Sequence, residues 1–178
     1  PYGVAGTGSN AVTNEVDWQL QQHLVQIARD VEVGFIKNTM VEPANNSTAR
    51  KTAGLASVIT TNVKNNADTT LDKDDVLDVM QLCYDNGGLM EGETRVLMVG
   101  STQKRAVSEA FVNATDGYRW QDSNVGGVNC QSIETDFGKL NVMLNRHVPS
   151  DEAYVLSLED LDVAFLEVPG KGHFFVEP

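Results

Sequence analysis

Six apolar residues, Val16, Leu20, Leu24, Ile27, Val31 and Phe35, recur at steps of four, four, three, four and four. That spacing lays them in one stripe along an α-helix of roughly five turns. The helix is therefore long and amphipathic. Glu15 and Asp17 stand near its start, where carboxylates meet the positive end of the helix dipole. Pro43 is placed to stop it, and a helix is expected over 13–42. Gly34 costs helicity without breaking the pattern.

Beyond the helix, Asn45 to Lys51 is polar and reads as a loop. Gly54 to Asn65 carries Leu55, Val58, Ile59 and Val63, which suit a short helix or a strand equally. Asp72 followed by Asp75 is a carboxylate capping box, and Leu71 can staple onto Val76. Val76, Val79, Met80 and Cys83 form the inner face of the helix so started, and Gly87-Gly88 offers a left-handed stop. Arg95 to Val99 reads as a buried strand. Ser101 is expected to cap a helix reaching about Asn113, with Val107, Ala110 and Phe111 inward.

Thr115 to Gly127 reads as a polar loop holding Tyr118, Arg119 and Trp120. Val128 to Thr135 and Lys139 to Asn145 flank Asp136-Phe137-Gly138 and suggest a hairpin. Ala153 to Ser157 and Leu161 to Val168 read as two further strands. Pro169 to Gly172 reads as a turn before a last apolar piece, Phe174 to Val176. A long helix, two helices around a strand, then several strands make an α+β fold.

A chain of 178 residues suits one domain, or one domain with a lobe. Its net charge of −12 disfavours a nucleic-acid surface, which needs clustered Lys and Arg to displace counterions. No apolar run approaches the roughly 20 residues that span a bilayer, and no membrane contact is expected. Cys83 and Cys130 sit far apart in apolar or strand-like surroundings and read as free thiols.

The chemical motifs dissolve on inspection. Asp136-Phe137-Gly138 matches a kinase tripeptide, but the Gly-rich loop, strand lysine and catalytic-loop residues are missing, so a turn explains it. Asp72, Asp74, Asp75 and Asp78 resemble a calcium loop. Counting from Asp72, however, the sixth position is Leu77 and the twelfth Cys83, where Gly and Glu are required. Gly100-Ser101-Thr102 lacks the rest of a phosphate loop. His23, His147 and His173 are not at ligand spacing, and no metal or cofactor is expected. Asn46 and Asn113 fall in glycosylation sequons that read as chance. No catalytic constellation remains, and the chain is not read as an enzyme. Tyr118, Arg119 and Trp120 are the residue types that anchor interfaces, and they stand as the candidate subunit contact. Trp120 covering a local core is the equal alternative.

The order of these pieces resembles the major head proteins of tailed bacteriophages with the Hong Kong ninety-seven capsid fold. The resemblance rests on the long helix Asn14 to Met40 running into Arg50-Lys51-Thr52-Ala53-Gly54-Leu55, and on the capped helix Leu71 to Tyr84 ending in Asn86-Gly87-Gly88. It continues through Val96-Leu97-Met98-Val99 and Gln103-Lys104-Arg105, then Glu134 to Leu140 and Leu144-Asn145-Arg146-His147-Val148-Pro149. Ala53 departs from the pattern, where a second glycine belongs. The resemblance implies a spine helix at 13–42. It implies a peripheral-type lobe from 1–65 and 145–178, and an axial-type lobe from 66–144. It also implies an N-terminal arm and a long hairpin loop ahead of Pro1.

On this reading the chain is a virion shell subunit assembled in the host cytoplasm. Its partners are copies of itself in pentamers and hexamers, with scaffold, portal and decoration proteins beside them. Without arm and loop, the chain is expected to be mostly monomeric. An encapsulin-like compartment shell shares the fold and is the first alternative; gene neighbours separate the two. A small α+β enzyme or ligand-binding domain is the second, and it needs a pocket around Asp136, His147 or Ser101.

Overall fold

The computed structural model describes residues 14–67, 70–90, 92–112, 120–125, 128–164 and 169–170. Its first element is the long helix α1, Glu15–Lys37, capped by the side chain of Asn14, which accepts from the Val16 amide at 3.2 Å. α1 ends five residues before the expected boundary at 42. Asn38 leaves the helix in an extended conformation, its amide still bonded to the Gly34 carbonyl. The chain then turns back, and Val41 pairs with Lys51 in an antiparallel bridge. Tertiary pairing therefore ends the helix before Pro43 is reached.

The ambiguous segment after Gly54 begins with one helical turn, α2, Leu55–Val58. Gly54 makes that turn possible. A Cβ there would lie 2.7 Å from the Asn38 amide nitrogen and 2.8 Å from the Ile36 carbonyl carbon and oxygen, all backbone. The Gly54 amide bonds to the Asn38 carbonyl at 2.7 Å, which clamps α2 to the root of α1.

The helix α3, Lys73–Asp85, forms where the capping box put it. The Asp72 amide donates to Asp75 at 3.0 Å, and the Asp72 carboxylate accepts in return from the helix start. At the other end the Gly88 amide reaches the Cys83 carbonyl and the Gly87 amide the Tyr84 carbonyl. Gly87 has φ of 87°, completing a Schellman stop.

Strand β1, Arg95–Val99, leads into α4, Ser101–Val112. Ser101 is the first helical residue rather than the residue before it; the Lys104 amide bonds back to the Gly100 carbonyl. The expected loop 115–127 is corrected over its second half, because Trp120–Val125 is strand β2. β2 pairs antiparallel with β3, Val128–Thr135, which pairs antiparallel with β4, Gly138–Leu144. The β3–β4 turn is Asp136-Phe137, closed by Gly138 at φ of 102° opposite Thr135. Strand β5, Ala153–Ser157, follows as expected. The next strand does not: Leu158–Asp160 is a 3₁₀ turn and residues 161–164 are irregular. Residues 165–168, and with them the remainder of that expected strand and the piece Phe174 to Val176, lie outside the described residues.

The five strands form one sheet in the order β2-β3-β4-β1-β5. β1 runs parallel to β4 and antiparallel to β5. Alternation along β1 sends Leu97 and Val99 to one face, Val96 and Met98 to the other. The first face packs under α3 and α4 with Val76, Met80, Val107, Phe111, Ile133, Leu140 and Val142. The second face joins Met98 to Tyr154, Leu156, Val148 and Ile36, with Leu55 and Ile59 beside them. This second cluster is what roots α1.

Two polar side chains tie the edges of these cores. Gln103, buried in α4, accepts from the Leu71 amide at 2.9 Å and donates to the Ser150 carbonyl at 2.8 Å. The Arg95 guanidinium donates to the carbonyls of Leu89 at 2.7 Å, Met90 at 3.0 Å and Phe137, which joins the loop after α3 to the β3–β4 turn.

Candidate assembly surface

Among the described residues, α1 is rooted at its C-terminal end. Gly34 and Ile36 are its buried residues. Beside them Glu32 accepts from Asn145 at 3.1 Å and lies 3.5 Å from His147, an ion pair when that imidazole is protonated. Ile36 sits in the second core cluster against Val148, Tyr154 and Leu156. At 1.5 Å per residue, the 23 residues of α1 span about 34 Å.

The stripe that announces this helix in the sequence is bare. Val16, Leu20, Leu24, Ile27, Val31 and Phe35 are each between 38% and 49% exposed. With 100° between successive residues, Ile36 and Glu32 point roughly 130° round the helix from the centre of the stripe. The side of α1 that meets the body through Ile36 and Glu32 is therefore not the side that carries the six-residue stripe, although Gly34, roughly 50° from the stripe's centre, is buried too. Trp18 and Val25 lie on the body side yet are exposed as well, because α1 has left the body by that height.

The sequence located this stripe correctly and left open what covers it. The other candidate contact falls elsewhere. Trp120 opens β2 opposite Ile133, at the outer strand of the sheet, and Tyr118 and Arg119 lie outside the described residues.

Among the described residues, Ser101, His147 and Asp136 are not gathered into one set. β1 runs parallel to β4, with Val99 opposite Leu144. Ser101 after β1 and His147 after β4 therefore lie toward one end of the sheet. Asp136, just before β4, lies at the other. Among the described residues no group of three His, Cys, Asp or Glu is placed to hold a metal ion. Burial pushes the Cys83 thiol above its ordinary value, away from the reactive thiolate. No helix among the described residues is long and apolar enough to cross a membrane.

The perturbed acids serve structure. Burial alone would raise the Asp75 carboxyl. Bonds from Asn66, the Asp72 amide and Lys64 outweigh it and hold the group below its usual range. Lys64 lies 2.9 Å from Asp75 and 2.5 Å from Asp78, so one ammonium clasps the segment after α2 to α3. Glu159 is lowered by its bonds to Thr94, whose amide it accepts at 2.8 Å, pinning the 3₁₀ turn beside β1.

What remains is an α+β body with an apolar stripe about 28 Å long on α1, a surface suited to packing against protein. Comparison with known proteins gives a match to the family model described as SU10 major capsid protein, over residues 3–178. No curated protein matches the chain.

Proposed function

The chain belongs to the SU10 major capsid protein family, structural proteins of the bacteriophage virion, and from that premise we propose that it builds the head shell by self-assembly. The family match over 3–178 carries the reading. The bare stripe of α1 supports it independently, since a subunit that works by tiling needs surface left uncovered in the single chain.

In this reading copies associate through heterologous contacts that close into rings of five and six. Each contact can be weak, because many act together in a closed shell. α1 serves as the spine of a Hong Kong ninety-seven-like subunit. Residues 1–65 and 145–178 form a peripheral-type lobe around it, and 66–144 an axial-type lobe. Two features support that division. The second core cluster draws on Ile36, Val148, Tyr154 and Leu156, and the first on α3, α4 and the sheet face they cover. Tyr118, Arg119 and Trp120 belong to the ring contact, with Trp120 on the outermost strand. Scaffold, portal and decoration proteins are the further partners, and assembly proceeds in the host cytoplasm.

Electron microscopy tests this directly. The protein, expressed with and without scaffold and protease partners, is expected to form shells or ring-shaped capsomers. Their absence under every assembly condition tried would sink the proposal.

A further inference from the structure

We infer that Asn86-Gly87 is a self-modification site, at which the chain converts Asn86 to aspartate or isoaspartate whenever the stop of α3 opens. Of the asparagines in the chain, only Asn86 is followed by glycine. With no Cβ at position 87, nothing shields that backbone nitrogen from the carboxamide before it. Both residues are exposed, so water reaches them.

The reaction balances with the chain and water alone. The Gly87 backbone nitrogen gives up its proton and attacks the Asn86 Cγ. A nitrogen–carbon bond forms, the Cγ–Nδ2 bond breaks, and Nδ2 leaves as ammonia with that proton. A five-membered succinimide remains. Water then opens it at one carbonyl to give aspartate or at the other to give isoaspartate.

The native stop holds this back in three ways. The Gly87 amide proton is engaged with the Tyr84 carbonyl at 3.0 Å and must be freed before the nitrogen can attack. The Asn86 Nδ2 donates to the Leu82 carbonyl at 2.8 Å, which turns the carboxamide back along the helix. Asn86 has a ψ of 15°, whereas ring closure needs the Gly87 nitrogen to eclipse the Asn86 Cβ, a large rotation away. The Gly88 amide closes the same stop on the Cys83 carbonyl at 2.9 Å. Releasing these bonds together is a local opening at the end of α3, well short of unfolding the body.

The product then keeps the stop from closing. An aspartate at this position has no N–H for the Leu82 carbonyl, and it adds negative charge beside Asp85 at the negative end of the helix dipole. An isoaspartate also lengthens the main chain by one methylene, which spoils the spacing of the bonds from Gly87 and Gly88. The change is therefore one-way. It sits just ahead of the Leu89 and Met90 carbonyls that Arg95 holds, so the loop after α3 loosens with it. It holds whether or not the chain builds a shell.

The test incubates the whole protein in mildly alkaline buffer and reads each asparagine by peptide mass spectrometry, with isoaspartate told from aspartate by fragmentation. Asn86 is expected to convert ahead of the other asparagines, at a rate about tenfold or more below that of the urea-unfolded chain. Gly88→Val leaves the reacting pair intact and puts a Cβ 3.2 Å from the Cys83 carbonyl oxygen. It is expected to speed conversion by about threefold or more. Urea below the unfolding midpoint opens the same stop in the unaltered chain and should give the same increase, which keeps the test independent of how that variant folds. Asn86→Asp is expected to quicken amide exchange at Gly87 and Gly88 while β1 and β4 stay protected. Equal rates in the folded and unfolded chain overturn the proposal. So does an Asn86 that stays intact in the folded protein, a rate that neither Gly88→Val nor urea changes, or exchange unaltered by Asn86→Asp.

Discussion

Gly54 holds a position no other residue can take. Its missing side chain lets the backbone of Ile36 and Asn38 approach to within what would be 2.8 Å of a Cβ. Gly54→Ala must push α2 off the end of α1, and a loss of about 1–3 kcal/mol is expected in urea unfolding. Faster exchange of the amide at position 54, which donates to the Asn38 carbonyl, should accompany it. Arg95 is a second such position. Its planar fork reaches carbonyls in two loops, which a lysine's single ammonium cannot do. Arg95→Lys is expected to cost about 1–3 kcal/mol, read as a lower denaturant midpoint with unchanged slope. Neither role was legible in the sequence. Gly54 stood in a recognisable phrase and Arg95 opened a correctly placed strand, but both act through partners distant in the chain.

Among elements, α3 was legible almost to the residue, because its start and stop are local. Asp72, Asp75, Gly87 and Gly88 satisfy backbone groups only a turn away. Its pH dependence follows from Asp75, held by Asn66, the Asp72 amide and Lys64, and from Lys64 itself. Asp75 titrates below its ordinary range when folded, so its contribution is full above about pH 5 and is lost as pH falls through the folded value. Lys64 is raised, so its contribution is full below about pH 10 and is lost as pH rises through its folded value. The urea midpoint should therefore fall on acidification below pH 4 and again in strong alkali. Lys64→Ala should remove the alkaline limb and reduce the acid limb only in part, since Asn66 and the Asp72 amide still hold Asp75, as followed by circular dichroism. β2 was illegible for the opposite reason. Trp120-Gln121-Asp122-Ser123-Asn124-Val125 has no apolar alternation, and it is a strand because β3 offers its edge. Residues 161–164 show the converse: Leu161 and Val163 alternate, but they leave the sheet after the 3₁₀ turn and remain exposed.

At the scale of the whole molecule, 178 residues with a net charge of −12 must associate against their own repulsion. Raising salt from roughly 0.01 M to 0.5 M shortens the screening length severalfold. Light scattering should then show association increasing with salt, the reverse of what a contact made mainly of opposite charges would give. The α+β class was readable from element order alone. The sheet order β2-β3-β4-β1-β5 was not, since periodicity says which residues face a core and nothing of which strands are neighbours. The candidate surface was half legible. The stripe of α1 was explicit in the spacing, but its exposure depends on where the body lies. The reading as a head protein came from the order of recognisable phrases, which composition and charge alone do not supply.

The position of β1 in that sheet bears on how the chain is made. Both of its neighbours, β4 and β5, come later in the sequence, with Val96 pairing to Asn141 and to Leu156. While the chain leaves the ribosome, Val96-Leu97-Met98-Val99 has no strand beside it until some 45 further residues have emerged. Non-local pairing of this kind is slow and leaves an apolar edge open to neighbouring nascent chains. A protein produced in many copies at once must protect that edge during synthesis, so its yield should depend on chaperone supply more steeply than its final stability would indicate.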